Sequence, residues 1–100
     1  MTCYVYFLTN KWNNVLYVGM TNNLERRVFE HKSHMNKSFT QRYNCDRLVY
    51  YEEYPTAMQA IEREKFIKKR LSRKMKNDLV DAFNPEWRDL SDDWGITPAG

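Results

Sequence analysis

The sequence has few of the residues that interrupt regular structure. Only 3 of its 100 residues are glycine and 3 are proline, whereas 42% are hydrophobic and 29% are charged. Disordered and fibrous chains have a different bias, so this composition predicts a folded globular protein. A chain of this length can bury one modest core and is too short for two. We expect a single domain over residues 1–94 and a frayed tail over 95–100.

Cysteines and long apolar runs are also scarce. Cys3 and Cys45 are the only cysteines and form no C-x-x-C pattern. Neither a disulfide framework nor a zinc site is indicated, so we expect two reduced structural thiols. No stretch approaches the roughly 20 apolar residues of a membrane span, and no basic segment followed by an apolar one opens the chain. We therefore expect a cytoplasmic protein.

Acidic residues are concentrated near the C-terminus. Residues 1–76 hold 15 Lys and Arg against 7 Asp and Glu, a balance of +8, and residues 77–100 hold 1 against 6, a balance of −5. The basic part is able to attract a polyanion such as nucleic acid. A run of Lys and Arg on a helix is often only a solvated face, and charge alone leaves both readings open.

The pattern of apolar residues predicts the order of the secondary structure. Residues 3–8 and 15–19 read as two strands of a hairpin, and residues 47–53 as a third strand. Helical spacing follows N-cap residues at 21–23, at Thr56 and at Ser72. We therefore predict an α+β fold in which a small three-stranded antiparallel sheet is flanked by helices, in the order ββαβαα.

Charged residues fall on the predicted inner faces of two helices. Arg27 and His31 share one stripe of the first helix with apolar residues, and Glu64 shares a stripe of the second with Ile61. Such a carboxylate is costly unless it is paired or binds a metal, so a structural ion pair with Arg27 or Lys68 is the alternative to a functional site. Tyrosines in the two hairpin strands have a similar alternative, core packing with a satisfied hydroxyl.

An ordered set of residues resembles the signature of the GIY-YIG nuclease superfamily. The set comprises Tyr4-Val5-Tyr6, then ten residues, Tyr17-Val18-Gly19, and then Thr21, Leu24, Arg27, His31 and Glu64. The run Asn84-Pro85-Glu86-Trp87-Arg88-Asp89-Leu90 resembles the ending of its small single-domain bacterial type, which is itself similar to the N-terminal domain of the excision-repair nuclease. Two positions depart from the pattern: Tyr4 replaces the glycine that opens the first motif, and Met20 stands where some members carry lysine.

The resemblance implies metal-dependent hydrolysis of phosphodiester bonds in DNA, in repair or processing. Glu64 would bind one divalent ion, Mg²⁺ or Mn²⁺, and Arg27 would hold the scissile phosphate. Tyr6 or Tyr17 would take the proton from the attacking water, because a phenolate forms more easily beside a metal-bound water and an arginine. His31 would contact phosphate or assist proton transfer.

The expected partner is DNA, which the protein would bind either without sequence preference or by recognising the structure of the DNA. Candidate contacts to nucleic acid are Lys32, Lys37, Arg42, Lys65, Lys68, Lys69 and Arg73. Two alternatives remain. One is a non-catalytic module with this fold that binds nucleic acid or a partner protein, and the other is a structural protein with a buried Arg-Glu pair.

Phosphate contacts should dominate any DNA binding, because the positive charge lies in basic runs rather than in isolated residues. We therefore predict that affinity falls steeply as salt rises from low to moderate concentration, since counterions released on binding oppose association. Titration of labelled DNA at several salt concentrations measures the slope. A flat response would contradict phosphate-led binding.

Overall fold

The computed structural model describes residues 2–33 and 43–94. Three strands, β1 (Cys3–Thr9), β2 (Leu16–Thr21) and β3 (Arg47–Tyr54), form one antiparallel sheet in the order β2-β1-β3. The helices are α1 (Leu24–Lys32), α2 (Ala57–Arg70), α3 (Arg73–Phe83) and a short 3₁₀ helix, Asp92–Trp94. The predicted ββαβαα order and antiparallel sheet are confirmed. None of these helices is long and apolar enough to cross a membrane.

Each of the three α-helices begins at a side-chain cap. Asn23, Thr56 and Ser72 adopt extended backbone angles, and the side-chain oxygen of each accepts a hydrogen bond from the backbone N–H three residues later. Such a cap satisfies an N–H that has no partner within the helix and stabilises the helix by about 1 kcal/mol. Local chemistry therefore sets where the helices start.

The central strand β1 is covered on both faces. One apolar cluster joins β1 and β3 to α2 and α3, and includes Cys3, Val5, Phe7, Val49, Ala60, Ile67 and Val80. The other joins β1 and β3 to α1, and includes Tyr6, Leu8, Leu24, Val28, Cys45 and Leu48. Because successive side chains of a strand point to opposite faces, α1 packs on one face of the sheet and α2 with α3 on the other. Cys3 and Cys45 are both buried and free, and they belong to different clusters.

The segment after α3 folds back onto β3. The Asn84 side-chain amide donates to the carbonyl oxygen of Val49 at 3.1 Å and to that of Arg88 at 2.8 Å. The backbone N–H of Leu90 donates to the carbonyl oxygen of Leu48 at 2.7 Å. These bonds give residues 84–90, singled out in the sequence as a motif, a structural part in closing the edge of the sheet.

Asp89 connects three parts of the fold. It is 7% exposed and accepts hydrogen bonds from the backbone N–H of Leu48 and from Ser91, while Lys32 Nζ lies 2.5 Å from its Oδ2. Burial acts to raise the pKa of Asp89, but the bonds from Lys32 and Ser91 outweigh it and the pKa is lowered. Lys32, expected to contact nucleic acid, is the partner of this buried carboxylate and its side chain is 16% exposed, so its contact with nucleic acid stays a prediction.

Removing the Asp89 carboxylate should destabilise the fold. Asp89→Ala leaves Lys32 and the Leu48 N–H without their partner in a buried site, so we expect a loss of about 3–5 kcal/mol in the free energy of unfolding. Asp93→Ala is the matched control, because Asp93 pairs with Arg88 at 2.5 Å on the surface and should contribute less than about 1 kcal/mol. Urea unfolding measures both. Equal losses would contradict the assignment.

Candidate active site

Three rings from three elements meet on the α1 face of the sheet. The ring centroid of Tyr6 on β1 lies 6.2 Å from that of Tyr17 on β2 and 6.1 Å from that of His31 on α1. The centroids of Tyr17 and His31 are 5.8 Å apart. The Tyr6 hydroxyl lies 3.3 Å from Nε2 of His31. The structure therefore brings together three of the predicted catalytic residues, and we call them the ring cluster.

Gly19 forms the floor under the two tyrosines. It is paired with Tyr6 across β1 and β2. A Cβ atom at this position would lie 2.6 Å from Oη of Tyr6 and 2.8 Å from Cε2 of Tyr17, closer than atoms can pack. The space that this glycine leaves is thus occupied by the tyrosine hydroxyl, which explains why the second motif ends in glycine.

His31 is a neutral imidazole at ordinary pH. It is 3% exposed, and burial together with the charge of Arg27 lowers the pKa of His31 to about 4. A neutral imidazole has one nitrogen that accepts a hydrogen bond. A tyrosine hydroxyl can donate as well as accept, so Nε2 of His31 accepts from Tyr6 in one tautomer and donates to it in the other. His31 therefore orients Tyr6.

Tyr6 is a neutral phenol in this environment. Burial raises the pKa of Tyr6, and the hydrogen bond and charge of Arg27 lower it by less than burial raises it. Arg27 thus lowers the pKa of Tyr6 in the direction expected, and the further effect of a metal-bound water stays a prediction. Tyr6 is 1% exposed, whereas Tyr17 is half-buried at the edge strand.

Arg27 lies at the rim of the ring cluster. Its side chain is 33% exposed against 69% for its neighbour Arg26, so Arg27 is the more inward of the two arginines. Its guanidinium pairs with Glu30 at 3.1 Å, one helical turn on. Sequence reasoning considered Glu64 as the partner of Arg27 and missed Glu30, although the i, i+3 spacing of opposite charges is a signal for such a pair.

Glu64 lies on α2, which packs on the face of the sheet opposite to α1. Its carboxylate is 22% exposed and lies 3.7 Å from the ammonium of Lys68, while Glu62 is exposed. The contrast between the two glutamates agrees with the predicted stripe. Ile61, placed on that stripe, is 37% exposed, because Ala60 and Ile67 are the residues that α2 buries.

A cleft of about 350 Å³ opens beside the edge strand β2. Its lining includes Tyr17 from β2, Lys68 from α2 and Lys76 from α3. Since Lys68 is also the ion-pair partner of Glu64, the cleft connects the ring cluster with the helix that carries Glu64. Lys76 was not among the predicted contact residues, because nothing in its local sequence distinguishes it from the other lysines of the basic run.

A metal held by Glu64 would depend on ligands beyond the protein. Among residues 2–33 and 43–94, no three His, Cys, Asp or Glu side chains are grouped so that they could hold an ion. At 3.7 Å the Glu64 carboxylate is too far from Lys68 for a strong hydrogen bond, so its oxygens can serve as ligands. Mg²⁺ commonly uses one or two carboxylates and completes its shell with water and substrate phosphate. This donor set therefore fits a magnesium-like ion.

The other predicted basic residues differ in their surroundings. Lys65 and Lys69 are exposed on α2. Arg73 donates to the carbonyl oxygens of Asn13 and Asn14 at 3.0 and 3.3 Å, and so supports the β1–β2 hairpin. Lys37 and Arg42 lie outside the described residues. Lys65, Lys68 and Lys69 are thus the predicted cations with most freedom to meet a phosphate backbone.

Comparison with known proteins identifies relatives over most of the chain. A family model for the GIY-YIG catalytic domain matches residues 2–77. A UPF0213 protein of Clostridium perfringens is 38% identical over 79 residues, 79% of this chain and 83% of that protein, and one of Natronomonas pharaonis is 39% identical over 77 residues, 77% and 88% of the two chains. The solution NMR structure of a UPF0213 protein from Bacillus halodurans has a TM-score of 0.56 at 29% identity, covering 97% of this chain and all of that one.

Acidification should test the environment of His31. Because its folded-state pKa is depressed to about 4, the unfolded chain binds the proton first, and stability should fall as pH drops from about 6.5 towards 4. Urea unfolding across this range should show a loss on the order of 2–3 kcal/mol that is absent from His31→Asn. The carboxylates titrate in both proteins and cancel in the comparison. Parallel profiles would show that His31 is not buried as a neutral ring.

Proposed function

Because the chain belongs to the GIY-YIG family, whose members are generally nucleases, we propose that it is a metal-dependent endonuclease that hydrolyses phosphodiester bonds in DNA. The observation that carries this proposal is the ring cluster on the Gly19 floor with Arg27 at its rim. A core that needed only packing would have no use for two tyrosine hydroxyls against one glycine with an imidazole and a guanidinium beside them.

Arg27 is the proposed ligand of the scissile phosphate. Its guanidinium presents a planar fork of donors that matches two phosphate oxygens, and Glu30 holds it from one side. A third of the side chain is exposed, so a substrate can reach it. In hydrolysis the oxygen of water bonds to phosphorus as the bond to the leaving oxygen breaks, and Arg27 offsets the charge that develops on the phosphoryl oxygens.

Tyr17 is the tyrosine that we assign to the attacking water. Tyr17 lines the open cleft beside Lys68 and Lys76, whereas Tyr6 is almost fully enclosed and its hydroxyl already faces His31. A proton taken from water has to pass to a group that the water can touch, because general-base catalysis requires hydrogen-bond reach. Tyr6 and His31 then act as positioning residues, because their rings contact the Tyr17 ring and hold it in place.

Glu64 is the proposed ligand of one Mg²⁺ or Mn²⁺ ion. Such an ion, when bound, lowers the pKa of a coordinated water and offsets charge on the phosphoryl group. Glu64 contributes a half-buried carboxylate on α2, 3.7 Å from the ammonium of Lys68, and Lys68 lines the cleft. Lys65, Lys68 and Lys69 would contact the phosphate backbone without reading its sequence. We place the activity in DNA repair or processing in the cytoplasm.

A non-catalytic binding module is the second candidate. The observation that favours it is the position of Glu64, since α2 packs on the sheet face opposite to the one that carries Arg27 and His31. A protein that only binds nucleic acid would need the basic helix and not the alignment of a carboxylate with an arginine. The two candidates differ in what they require of Glu64. The endonuclease needs its carboxylate for metal-dependent cleavage, whereas the binding module does not.

The sharpest test compares two glutamates that are two residues apart on α2. Residues at this spacing lie about 200° apart around a helix and cannot face the same site. Glu64→Gln keeps the size of the side chain and removes its charge, so metal-dependent cleavage of DNA should fall by orders of magnitude. Stability should change by less than about 1 kcal/mol, because the pair with Lys68 is partly exposed.

Glu62→Gln is the matched control, with full activity expected because Glu62 is exposed on the other side of α2. Cleavage of branched, nicked and single-stranded DNA with Mg²⁺ or Mn²⁺, together with thermal unfolding, measures both effects. Full activity in Glu64→Gln, or a loss in Glu62→Gln alone, would show that the metal assignment is wrong. An inactive wild-type chain that still binds DNA would favour the non-catalytic module.

A further inference from the structure

A second cavity of about 350 Å³ lies between the start of α1, β1 and β3. Its lining is aromatic and acidic, unlike that of the lysine-lined cleft at β2, and includes Tyr4, Tyr51, Trp94, Glu25 and Glu53. Its volume is at the lower end of the range typical of small-molecule sites, roughly 300–1,000 Å³. We call this cavity the aromatic pocket.

The aromatic pocket depends on Tyr4, which stands where the first motif of the family has glycine. Tyr4 and Tyr6 are two residues apart on β1 and face the same side of the sheet, so their backbones are roughly 6.6 Å apart. The Tyr4 ring meets that of Tyr51 edge-to-face, with centroids 6.3 Å apart and planes at 68°. A glycine at position 4, as in the motif that this family is named for, would leave that wall of the pocket without a side chain.

The chemistry of the walls selects a base over a phosphate. Aromatic side chains offer faces on which any nucleobase can stack. Glu25 and Glu53 are exposed, so they would repel a phosphate, whereas a carboxylate accepts hydrogen bonds from the amino groups of bases such as cytosine. The three lysines proposed to contact the phosphate backbone, Lys65, Lys68 and Lys69, lie instead on α2, and Lys68 also lines the cleft at β2. The aromatic pocket therefore suits the base of a nucleotide, and the cleft at β2 suits its phosphate.

We propose that Tyr4, Tyr51 and Trp94 form a binding pocket for one unpaired nucleobase next to the scissile phosphate. The proposal rests on the proposed function to the extent that the ligand is nucleic acid, but it concerns binding and not cleavage. A base within a duplex is stacked on both sides and paired, so the pocket takes a base from a single-stranded or locally opened segment.

Binding without divalent metal tests the pocket separately from catalysis. The probes are a labelled oligodeoxycytidylate of about 12 nucleotides and an abasic strand of the same length, which carries the phosphates without the bases. Tyr4→Leu and Trp94→Leu should each weaken binding of the oligodeoxycytidylate about tenfold, the lower part of the range seen for loss of one base-stacking contact. Neither should change affinity for the abasic strand.

Two further variants serve as controls. Tyr4→Phe keeps the ring and should bind as the wild type does, which separates stacking from a general disturbance of β1. Trp12→Leu removes a tryptophan that is 66% exposed on the β1–β2 hairpin and should leave both affinities unchanged. If Tyr4→Leu does not fold, Trp94→Leu, on the short 3₁₀ helix, carries the test.

The pocket proposal is overturned if both leucine variants bind the oligodeoxycytidylate as the wild type does, if they lose affinity for the abasic strand equally, or if Trp12→Leu causes the same loss. Cleavage by the wild type, measured in parallel with metal, shows whether the endonuclease proposal still stands. If the wild type cuts DNA but binds the oligodeoxycytidylate and the abasic strand equally well, the endonuclease proposal stands and the nucleobase-binding proposal is overturned.

Discussion

The close contact of Tyr6 and Tyr17 with Gly19 is the constraint on which the site depends. The register of β1 and β2 sets Gly19 opposite Tyr6, and the missing side chain leaves room for the Tyr6 hydroxyl and the edge of the Tyr17 ring. A shift of one residue in this register would move Tyr6 to the other face of the sheet. The same contact fixes the depth at which His31 meets Tyr6, so α1 is aligned with the hairpin through these rings.

A second anchor holds α1 one residue further on. Lys32, the last residue of α1, pairs with Asp89, which also binds β3 through the N–H of Leu48. The helix that carries Arg27 and His31 is thus tied to the sheet near its C-terminal end, by the ring of His31 and by the ion pair of the next residue, Lys32. Residues 84–90 therefore contribute to the site indirectly, by holding the helix that presents it.

Burial separates the groups of the site by charge. The interior holds two neutral groups, because burial raises the pKa of Tyr6 and lowers that of His31. Arg27 is partly exposed at the rim, and the side chain of Lys68, which lines the cleft, is 49% exposed. An anionic substrate would therefore be met by cations at the surface, while the enclosed phenol and imidazole keep one hydrogen-bonded arrangement.

The sequence by itself determined the elements, because helix caps and apolar periodicity depend on residues a few positions apart. Asn23, Thr56 and Ser72 start helices where the pattern indicated, and the ordered motif identified the family from residues 4–31 and Glu64. Only the tertiary structure decided which groups meet. Lys32 finds Asp89 across 57 positions, Tyr6 is enclosed and therefore neutral, and α2 sets Glu64 on the sheet face opposite to α1. Burial and long-range pairing arise from how the elements pack, and no local pattern in the chain encodes them.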